Sequence, residues 1–117
     1  MLYIKLNNLS FFAFHGLYEE EKINGNDFLM NVVIGFTPSG TVTQISDTID
    51  YSFVYEIIYK RMQIASPLLE TIVIELTNEI LDKFILAETV KIELIKTNPP
   101  IHEFNGTVSV MYEQKRN

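Results

Sequence analysis

Lys96 is the residue whose place in this sequence best suits acid–base chemistry. It follows Val90–Ile95 (VKIELI), where apolar and charged residues alternate as in a strand with one buried face. Continuing the alternation puts Lys96 on the buried side, where an ammonium group is costly unless it is paired or used. The segment Asn98–Pro100 (NPP) ends the strand, because proline cannot donate to the hydrogen-bond ladder. The alternative is a structural lysine that extends its ammonium group into water.

Two carboxylates are candidate partners for such a lysine or for a ligand. Glu21 is the last of three consecutive glutamates, a pattern that is typical of a solvated loop. Glu70 lies in the first turn of a predicted helix, where the helix dipole favours a negative charge. A carboxylate near free backbone N–H groups can also bind a ligand with two adjacent donors, as it binds a guanidinium. For both residues the structural and the functional interpretation stay open at this point.

Tyr51 and His15 are weaker candidates. Tyr51 lies between a polar turn and a predicted helix, so its hydroxyl is either presented at an edge of the domain or half-buried with a partner. His15 precedes Gly16 and equally fits a partly buried histidine that bonds to a backbone carbonyl. Taken singly, neither residue indicates a function.

The strands that position these residues are predicted by their alternating apolar side chains. Leu2–His15 predicts a long strand with a bend or bulge at Asn7–Asn8, and Phe28–Phe36 predicts a second strand. Leu17–Asn26 (LYEEEKINGN) predicts a polar loop between them. The second face of the Phe28–Phe36 strand is half apolar, which indicates an oligomer or a closed barrel.

Helical periodicity begins at Ser52, and the first helix is expected to turn Glu56, Lys60 and Arg61 towards water. Its apolar side is predicted to carry Phe53, Val54, Ile57, Ile58, Met62 and Ala65. Ser66-Pro67 predicts the start of a second helix, with serine as N-cap. That helix is expected to bury Leu69, Ile72, Val73, Leu76, Ile80, Leu81 and Phe84.

A last strand is predicted from Val108 to Glu113, followed by a charged tail at Gln114–Asn117. The resulting order of elements is strand, strand, helix, helix, strand, strand. This order predicts an α+β fold, in which a four-stranded antiparallel sheet carries two helices on one face.

Composition bounds the class of protein. A chain of 117 residues predicts a single domain spanning residues 1–117, with 47% hydrophobic and 21% charged residues as in a globular protein. The net charge of -6 argues against nucleic-acid binding. There is no cysteine, and the two histidines, His15 and His102, lack metal-ligand spacing. No signal peptide or membrane-spanning segment is predicted, so a cytoplasmic protein is expected.

Four motifs together give the chain a family resemblance. They are His15-Gly16 followed by Glu21, then Asp47–Tyr51 (DTIDY), Leu68–Glu70 (LLE) and Ile95–Pro100 (IKTNPP). In this order and spacing the chain resembles dihydroneopterin aldolase, a family of the folate pathway. Each motif is weak alone, but four of them in register over nearly the whole chain are specific.

The resemblance implies a fold, an assembly and a reaction. Members of the family have the tunnelling fold, in which four subunits close a β-barrel ring around a pore and two rings stack into a homo-octamer. Active sites lie between neighbouring subunits. Ring closure would cover the apolar second face and the sheet edges. The reaction is the retro-aldol cleavage of 7,8-dihydroneopterin, a pterin, to 6-hydroxymethyl-7,8-dihydropterin and glycolaldehyde, with no metal, Schiff base or other cofactor.

The resemblance also implies residue roles. By position, Lys96 resembles the general acid/base, and Glu21 would hydrogen-bond to it or to a reacting water. Partial burial would favour the neutral amine of Lys96, whereas the Glu21 carboxylate would favour the ammonium form.

The remaining implied roles concern the substrate ring and the intermediate. Glu70 resembles the residue that anchors the pterin through its exocyclic amine and adjacent ring N–H, and Leu69 would add backbone contacts. Tyr51 would come from the adjacent subunit, with Ile49 and Asp50, and take part in protonating the intermediate.

One segment departs from the family pattern, and two alternative functions stay open. Many relatives continue Pro-Pro-Ile with Pro-Gly, whereas this chain has the longer turn Ile101–Gly106 (IHEFNG), expected to change the pocket and its stereoisomer preference. One alternative is an epimerase acting on dihydroneopterin triphosphate, which the acidic run Glu19–Glu21 disfavours. The other is a non-catalytic pterin-binding assembly. Epimerase side activity of an aldolase is a further expectation, because the cleaved intermediate can reclose.

Overall fold

Four strands and three α-helices make up the chain, which a computed structural model describes over residues 1–117. In chain order they are β1 (Leu2–Ala13), α1 (Glu19–Asn24), β2 (Asn26–Phe36), α2 (Tyr51–Met62), α3 (Leu69–Lys83), β3 (Thr89–Lys96) and β4 (Val108–Lys115), with a 3₁₀ turn at Ile45–Asp47 before α2. The strands form one antiparallel sheet in the order β1-β2-β3-β4. The predicted α+β class and antiparallel sheet are confirmed.

The bulge predicted in the first strand keeps its apolar side chains on one face. Leu6 pairs with Val32 and Leu9 pairs with Met30, so Asn7 and Asn8 both lie opposite Asn31. Asn8 adopts a φ of 53°, and its N–H donates to the Asn31 side-chain oxygen at 2.8 Å. Because the bulge adds one residue to β1, Leu9, Phe11 and Ala13 lie on the same face of the sheet as Ile4 and Leu6.

α2 and α3 cover one face of the sheet, where α2 contacts β1 and α3 contacts β3 and β4. The covered face holds the fully buried alternate residues of the two central strands, Phe28, Met30, Val32, Ile34, Phe36, Val90, Ile92 and Leu94. The opposite face, called here the uncovered face, is covered by neither α2 nor α3. β1 and β4 are the two free edges of the sheet.

The segment predicted as a polar loop before the second strand contains a helix instead. α1 occupies its middle, with three glutamates in the first turn, where the helix dipole favours negative charge. Of these, Glu21 is buried. A run of three like charges indicated solvent on every side, but one turn of helix directs the third carboxylate inward.

The predicted N-cap of the second helix is wrong. α3 begins at Leu69, and its N-cap residue Leu68 makes no side-chain capping bond. Ser66 is buried two residues earlier, where its N–H donates to His15 Nδ1 at 3.1 Å. Its hydroxyl accepts from Arg61 at 2.6 Å. Ser66 therefore joins the helix connection to the end of β1 and is not free to cap a helix.

The buried stripe of α2 is narrower than predicted. Val54, Ile58 and Met62, spaced four residues apart, are buried. Phe53 is 58% exposed, and Ala65, beyond the end of the helix, is exposed as well. The main contacts of α2 are with β1 and α3, so Phe53 lies outside the packed side, whereas Ile57 is partly buried against the core as predicted.

Arg61 was expected to face water, but its side chain is only 11% exposed. Its guanidinium donates to Ser66 and to the carbonyl of Ile64 and forms an ion pair with Glu75 at 3.3 Å. The guanidinium of Arg61 therefore holds the segment between α2 and α3 in place through several N–H donors. For α3 itself, the predicted buried residues are buried except for Phe84, which is partly exposed.

The predicted charged tail is also an ordered part of the fold. β4 extends to Lys115, and the guanidinium of Arg116 donates to the carbonyls of Leu81, Phe84 (3.1 Å) and Ala87 (2.8 Å). These carbonyls lie at the end of α3 and just after it, where backbone acceptors lack helical partners.

None of the helices combines the length and the apolar composition that crossing a membrane would require.

Candidate active site

Lys96 lies at the last position of β3 on the covered side of the sheet, as the alternation predicted. It pairs with Phe28 of β2 and with Val108 of β4, and its side chain is 12% exposed. The following residue, Thr97, donates its N–H to the carbonyl of Asp27 at 3.2 Å. Asn98 accepts from the Asn26 side chain at 2.7 Å. The lysine is thus held at a strand end whose continuation is tied to β2.

Glu21 is the partner of this lysine. Its carboxylate oxygen Oε2 lies 2.5 Å from Lys96 Nζ, and the Glu21 side chain is 5% exposed. The other oxygen accepts from the Tyr18 N–H at 3.3 Å. Such short contacts between opposite charges satisfy both groups in a site largely closed to water.

Gly16 makes room for the Glu21 carboxylate. Its φ is +153°, and a Cβ at this position would lie 2.3 Å from Glu21 Cδ. The glycine of the His15-Gly16 motif is therefore needed because the buried carboxylate occupies the place of a side chain. The spacing of the motif alone did not indicate this role.

A cavity of about 310 Å³ opens beside this pair. Its walls bring Lys96 and Glu21 together with Leu69 and Glu70 from the first turn of α3. The rest of the wall is mainly apolar and includes Leu17, Leu68, Ile101 and Val110. Leu69 is buried and Glu70 is exposed. Four of the seven predicted site residues thus line one cavity, which holds two carboxylates and one ammonium group.

The other three predicted residues lie outside this cavity. Ile49 is 3% exposed in the core of its own chain. Asp50 caps α2 by accepting from the Ser52 N–H and hydroxyl, and these hydrogen bonds lower the pKa of the Asp50 carboxyl. Tyr51 is 64% exposed at the first residue of α2. No contact within the chain brings Tyr51 to the cavity, so its place in the site stays a prediction about a neighbouring subunit.

The turn that departs from the family pattern directs its extra charges outward. His102 and Glu103 contact each other at 3.5 Å and are 92% and 84% exposed. Neither lines the cavity, whereas Ile101 does. Ile101 is the isoleucine that relatives share after Pro-Pro, so the part of the turn that departs from the pattern, His102–Gly106, contributes no residue to the cavity wall. Among the described residues, no three ligand-type side chains converge to hold a metal ion.

His15 connects the end of β1 to the segment that leads into α3. It is fully buried, accepts from the Ser66 N–H at Nδ1, and lies 5.3 Å from the ring of Phe28. The adjacent Gly16 N–H donates to the Ser66 carbonyl at 3.0 Å. Because Ser66 leads into the first turn of α3, this double bridge connects the wall that carries Glu70 to the loop before Glu21.

His15 predicts a pH dependence of stability. Burial, with smaller contributions from the charges of Arg61 and Lys96, lowers the pKa of His15 from 6.5 to about 4. The unfolded chain therefore binds a proton that the folded chain does not, and stability is lost as the pH falls from about 6.5 to about 4. His15→Asn keeps a hydrogen-bond acceptor but cannot titrate. We expect the difference in unfolding free energy between pH 7.5 and 4.5 to be smaller by roughly 2–3 kcal/mol in this variant than in the wild type. Urea unfolding at pH 7.5 and 4.5, at constant protein concentration, measures it.

His102→Asn is the matched control, because that histidine is 92% exposed. We expect its unfolding free energy to follow the wild type at both pH values. If the unfolding free energy of His15→Asn fell between pH 7.5 and 4.5 as much as that of the wild type, His15 would not be the source of the pH dependence.

Comparisons with known proteins agree with one another. The family model described as FolB, dihydroneopterin aldolase, matches residues 4–113. The dihydroneopterin aldolase of Streptococcus pyogenes is 24% identical over 116 residues, covering 97% of this chain and 98% of the relative. Dihydroneopterin aldolase 1 of Arabidopsis thaliana is 31% identical over 97 residues, covering 80% of this chain and 66% of the relative. The crystal structure of the E. coli dihydroneopterin aldolase in complex with neopterin matches with a TM-score of 0.86 at 18% identity, covering 97% of this chain and 99% of that chain.

Proposed function

The chain belongs to the dihydroneopterin aldolase family and is a lyase of folate biosynthesis; we propose that Lys96 and Glu21 form the proton-transfer pair of its retro-aldol reaction. The observation that carries this proposal is the 2.5 Å contact between Lys96 Nζ and Glu21 Oε2 on the wall of a cavity that also contains Glu70. The substrate is 7,8-dihydroneopterin, and the products are 6-hydroxymethyl-7,8-dihydropterin and glycolaldehyde.

The chemistry needs one base and one acid. The ammonium of Lys96 first gives up a proton, and the resulting amine removes the proton from the side-chain hydroxyl, the C–C bond breaks, and glycolaldehyde leaves. The electron pair of that bond enters the ring imine beside it and gives an enamine, so the substrate supplies its own electron sink. Protonation of the enamine carbon completes the product. Glu21 accepts a hydrogen bond from Lys96 and keeps its amine aimed into the cavity.

Glu70 anchors the pterin ring in this proposal. Its carboxylate lies at the second residue of α3 and is exposed towards the cavity that contains Lys96. A carboxylate there accepts from two adjacent N–H groups of the pterin edge, and the backbone of Leu69 adds a contact. The apolar walls stack on the ring faces.

Glu70→Ala is expected to weaken substrate binding more than it slows the chemistry. Loss of hydrogen bonds to a charged group is worth about 1.5–3 kcal/mol, or a rise in KM of about 10–150-fold with a smaller change in kcat. Steady-state kinetics with 7,8-dihydroneopterin measure both constants. Glu79→Ala is the matched control, because Glu79 lies on the same helix and its carboxylate pairs with Lys83. This variant should leave KM and kcat unchanged. An unaltered KM in Glu70→Ala would sink the anchor role.

Tyr51, with Ile49 and Asp50, belongs to the neighbouring subunit's site in this proposal. α2 packs on β1 at one free edge of the sheet, while Val108 and Val110 of β4, at the other edge, line the cavity. Pairing of β1 with the β4 of the next subunit would place Tyr51 near that cavity and close a ring of four, two of which stack into an octamer. Tyr51 then takes part in protonating the enamine.

Subunit mixing tests this arrangement. Tyr51→Phe and Lys96→Ala should each be impaired alone. When the two are co-expressed, roughly a quarter of the interface sites should regain both native residues, because each site draws one residue from each subunit. Recovery of about a quarter of the wild-type kcat is the expected result. If both residues came from one subunit, mixing would restore no activity.

Product analysis tests the reaction itself. Purified protein incubated with 7,8-dihydroneopterin, without added metal, should release equal amounts of 6-hydroxymethyl-7,8-dihydropterin and glycolaldehyde. Some epimerised substrate is expected as well, since the enamine and glycolaldehyde can recombine before release. Epimer without cleavage would favour the triphosphate epimerase, although the cavity offers no cation other than Lys96 for a triphosphate. Binding without turnover would leave a pterin-binding assembly. The proposed place of action is the cytoplasm.

A further inference from the structure

The uncovered face of the sheet carries an unusual group of lysines at one end. Cross-strand register places Lys5 of β1, Val33 of β2, Lys91 of β3 and Glu113 of β4 in one row. The next row towards the sheet end contains Tyr3, Thr89 and Lys115. We call Lys5, Lys91 and Lys115 the lysine cluster.

The lysine cluster contains all lysines of the chain without a carboxylate partner. The other four, Lys22, Lys60, Lys83 and Lys96, each lie within 4 Å of a glutamate. Lys5, Lys91 and Lys115 have no such contact, and Glu113 in the same row has no ion pair either. A chain of net charge -6 therefore collects its unpaired ammonium groups on one patch.

Within the patch a cavity of about 350 Å³ is lined by Lys5, Lys91, Thr89, Tyr3 and Glu113, together with Val33. Lys5 and Lys91 flank the central strand β2, so their backbones are about 10 Å apart, and both side chains can reach a ligand between them. Two ammonium groups and two hydroxyls provide donors for the oxygens of an anion. One glutamate cannot neutralise three lysines.

We propose that this end of the uncovered face binds a multivalent inorganic phosphate anion, of the oligophosphate class. The inference rests on the proposed ring, in which the uncovered face lines the pore and each subunit brings its lysine cluster towards the axis. Like charges repel in that confined space even when Glu113 pairs with one lysine of its own or a neighbouring subunit. An anion with several charges bridges clusters of different subunits and stabilises the ring.

The test uses the intact protein and inorganic tripolyphosphate as the probe. Melting temperatures are measured at constant protein concentration, with sodium chloride at equal ionic strength as reference. We expect tripolyphosphate to raise the melting temperature of the wild type by about 4 °C or more. Lys91→Gln should lose most of this rise. Without the anion, Lys91→Gln should melt no lower than the wild type, because it removes a repelling charge.

Lys60→Gln is the matched control, since Lys60 is exposed and paired with Glu56 outside the patch. It should respond to tripolyphosphate as the wild type does. The inference is overturned if tripolyphosphate acts no more strongly than sodium chloride, or if Lys91→Gln responds fully. ATP that stabilises markedly more than tripolyphosphate would overturn the assignment to inorganic anions.

Native mass and aldolase activity, measured on the same samples, separate this inference from the proposed function. A ring that is active but indifferent to tripolyphosphate refutes the anion site alone. A monomeric mass refutes the ring, and the anion site with it.

Discussion

Lys96→Ala is expected to lower kcat by about 10²–10⁴-fold, the contribution of a positioned acid–base group. The variant retains the cavity walls and Glu70, so substrate binding should change less than turnover. Initial rates of glycolaldehyde release measure the loss. Added ethylamine should restore part of the rate in Lys96→Ala, because a small amine can enter the space that the side chain leaves.

Two controls separate chemistry from folding. Removing the lysine leaves the Glu21 carboxylate, which is 5% exposed, without its partner, at a cost of about 3–5 kcal/mol. The double variant Lys96→Ala/Glu21→Gln avoids that unpaired charge and should regain stability but no activity. Lys22→Ala removes a half-exposed lysine on α1 and should be neutral. Near-normal turnover in Lys96→Ala would overturn the mechanism.

Gly16→Ala is expected to lower both activity and stability. The new Cβ would lie 2.3 Å from Glu21 Cδ and 2.5 Å from its nearer carboxylate oxygen, so the carboxylate must move away from Lys96. The φ of +153° is also a conformation that residues with a Cβ rarely adopt, so Gly16→Ala strains the backbone as well as displacing the carboxylate. We expect kcat to fall by about 10²-fold, as for a misplaced catalytic group.

Gly40→Ala is the matched control, because no atom lies within 4 Å of a Cβ at that position. It should keep wild-type kcat. The double variant Gly16→Ala/Glu21→Asp shortens the clashing side chain and is expected to recover part of the rate. A wild-type kcat in Gly16→Ala would show that the close fit of glycine and carboxylate has no catalytic importance.

The sequence by itself determined the sheet and the inward position of Lys96. Apolar alternation in the two central strands is strong because both must bury one face under helices, and the same alternation continues to Lys96. The four-stranded sheet and the family are confirmed. Local pattern suffices for such features, since the period of the side chains is set by the backbone of each element.

Only the tertiary structure decided which residues distant in the chain are hydrogen-bond or ion-pair partners. Glu21 and Lys96 are 75 positions apart, and nothing in a run of three glutamates indicates which carboxylate turns inward. Ser66 matched an N-cap pattern, yet its groups are taken by His15 and Arg61. Arg116 looked like part of a charged tail, yet it binds carbonyls about thirty residues earlier. Each case turns on a polar group whose partner is distant in the chain, and local periodicity carries no information about such partners.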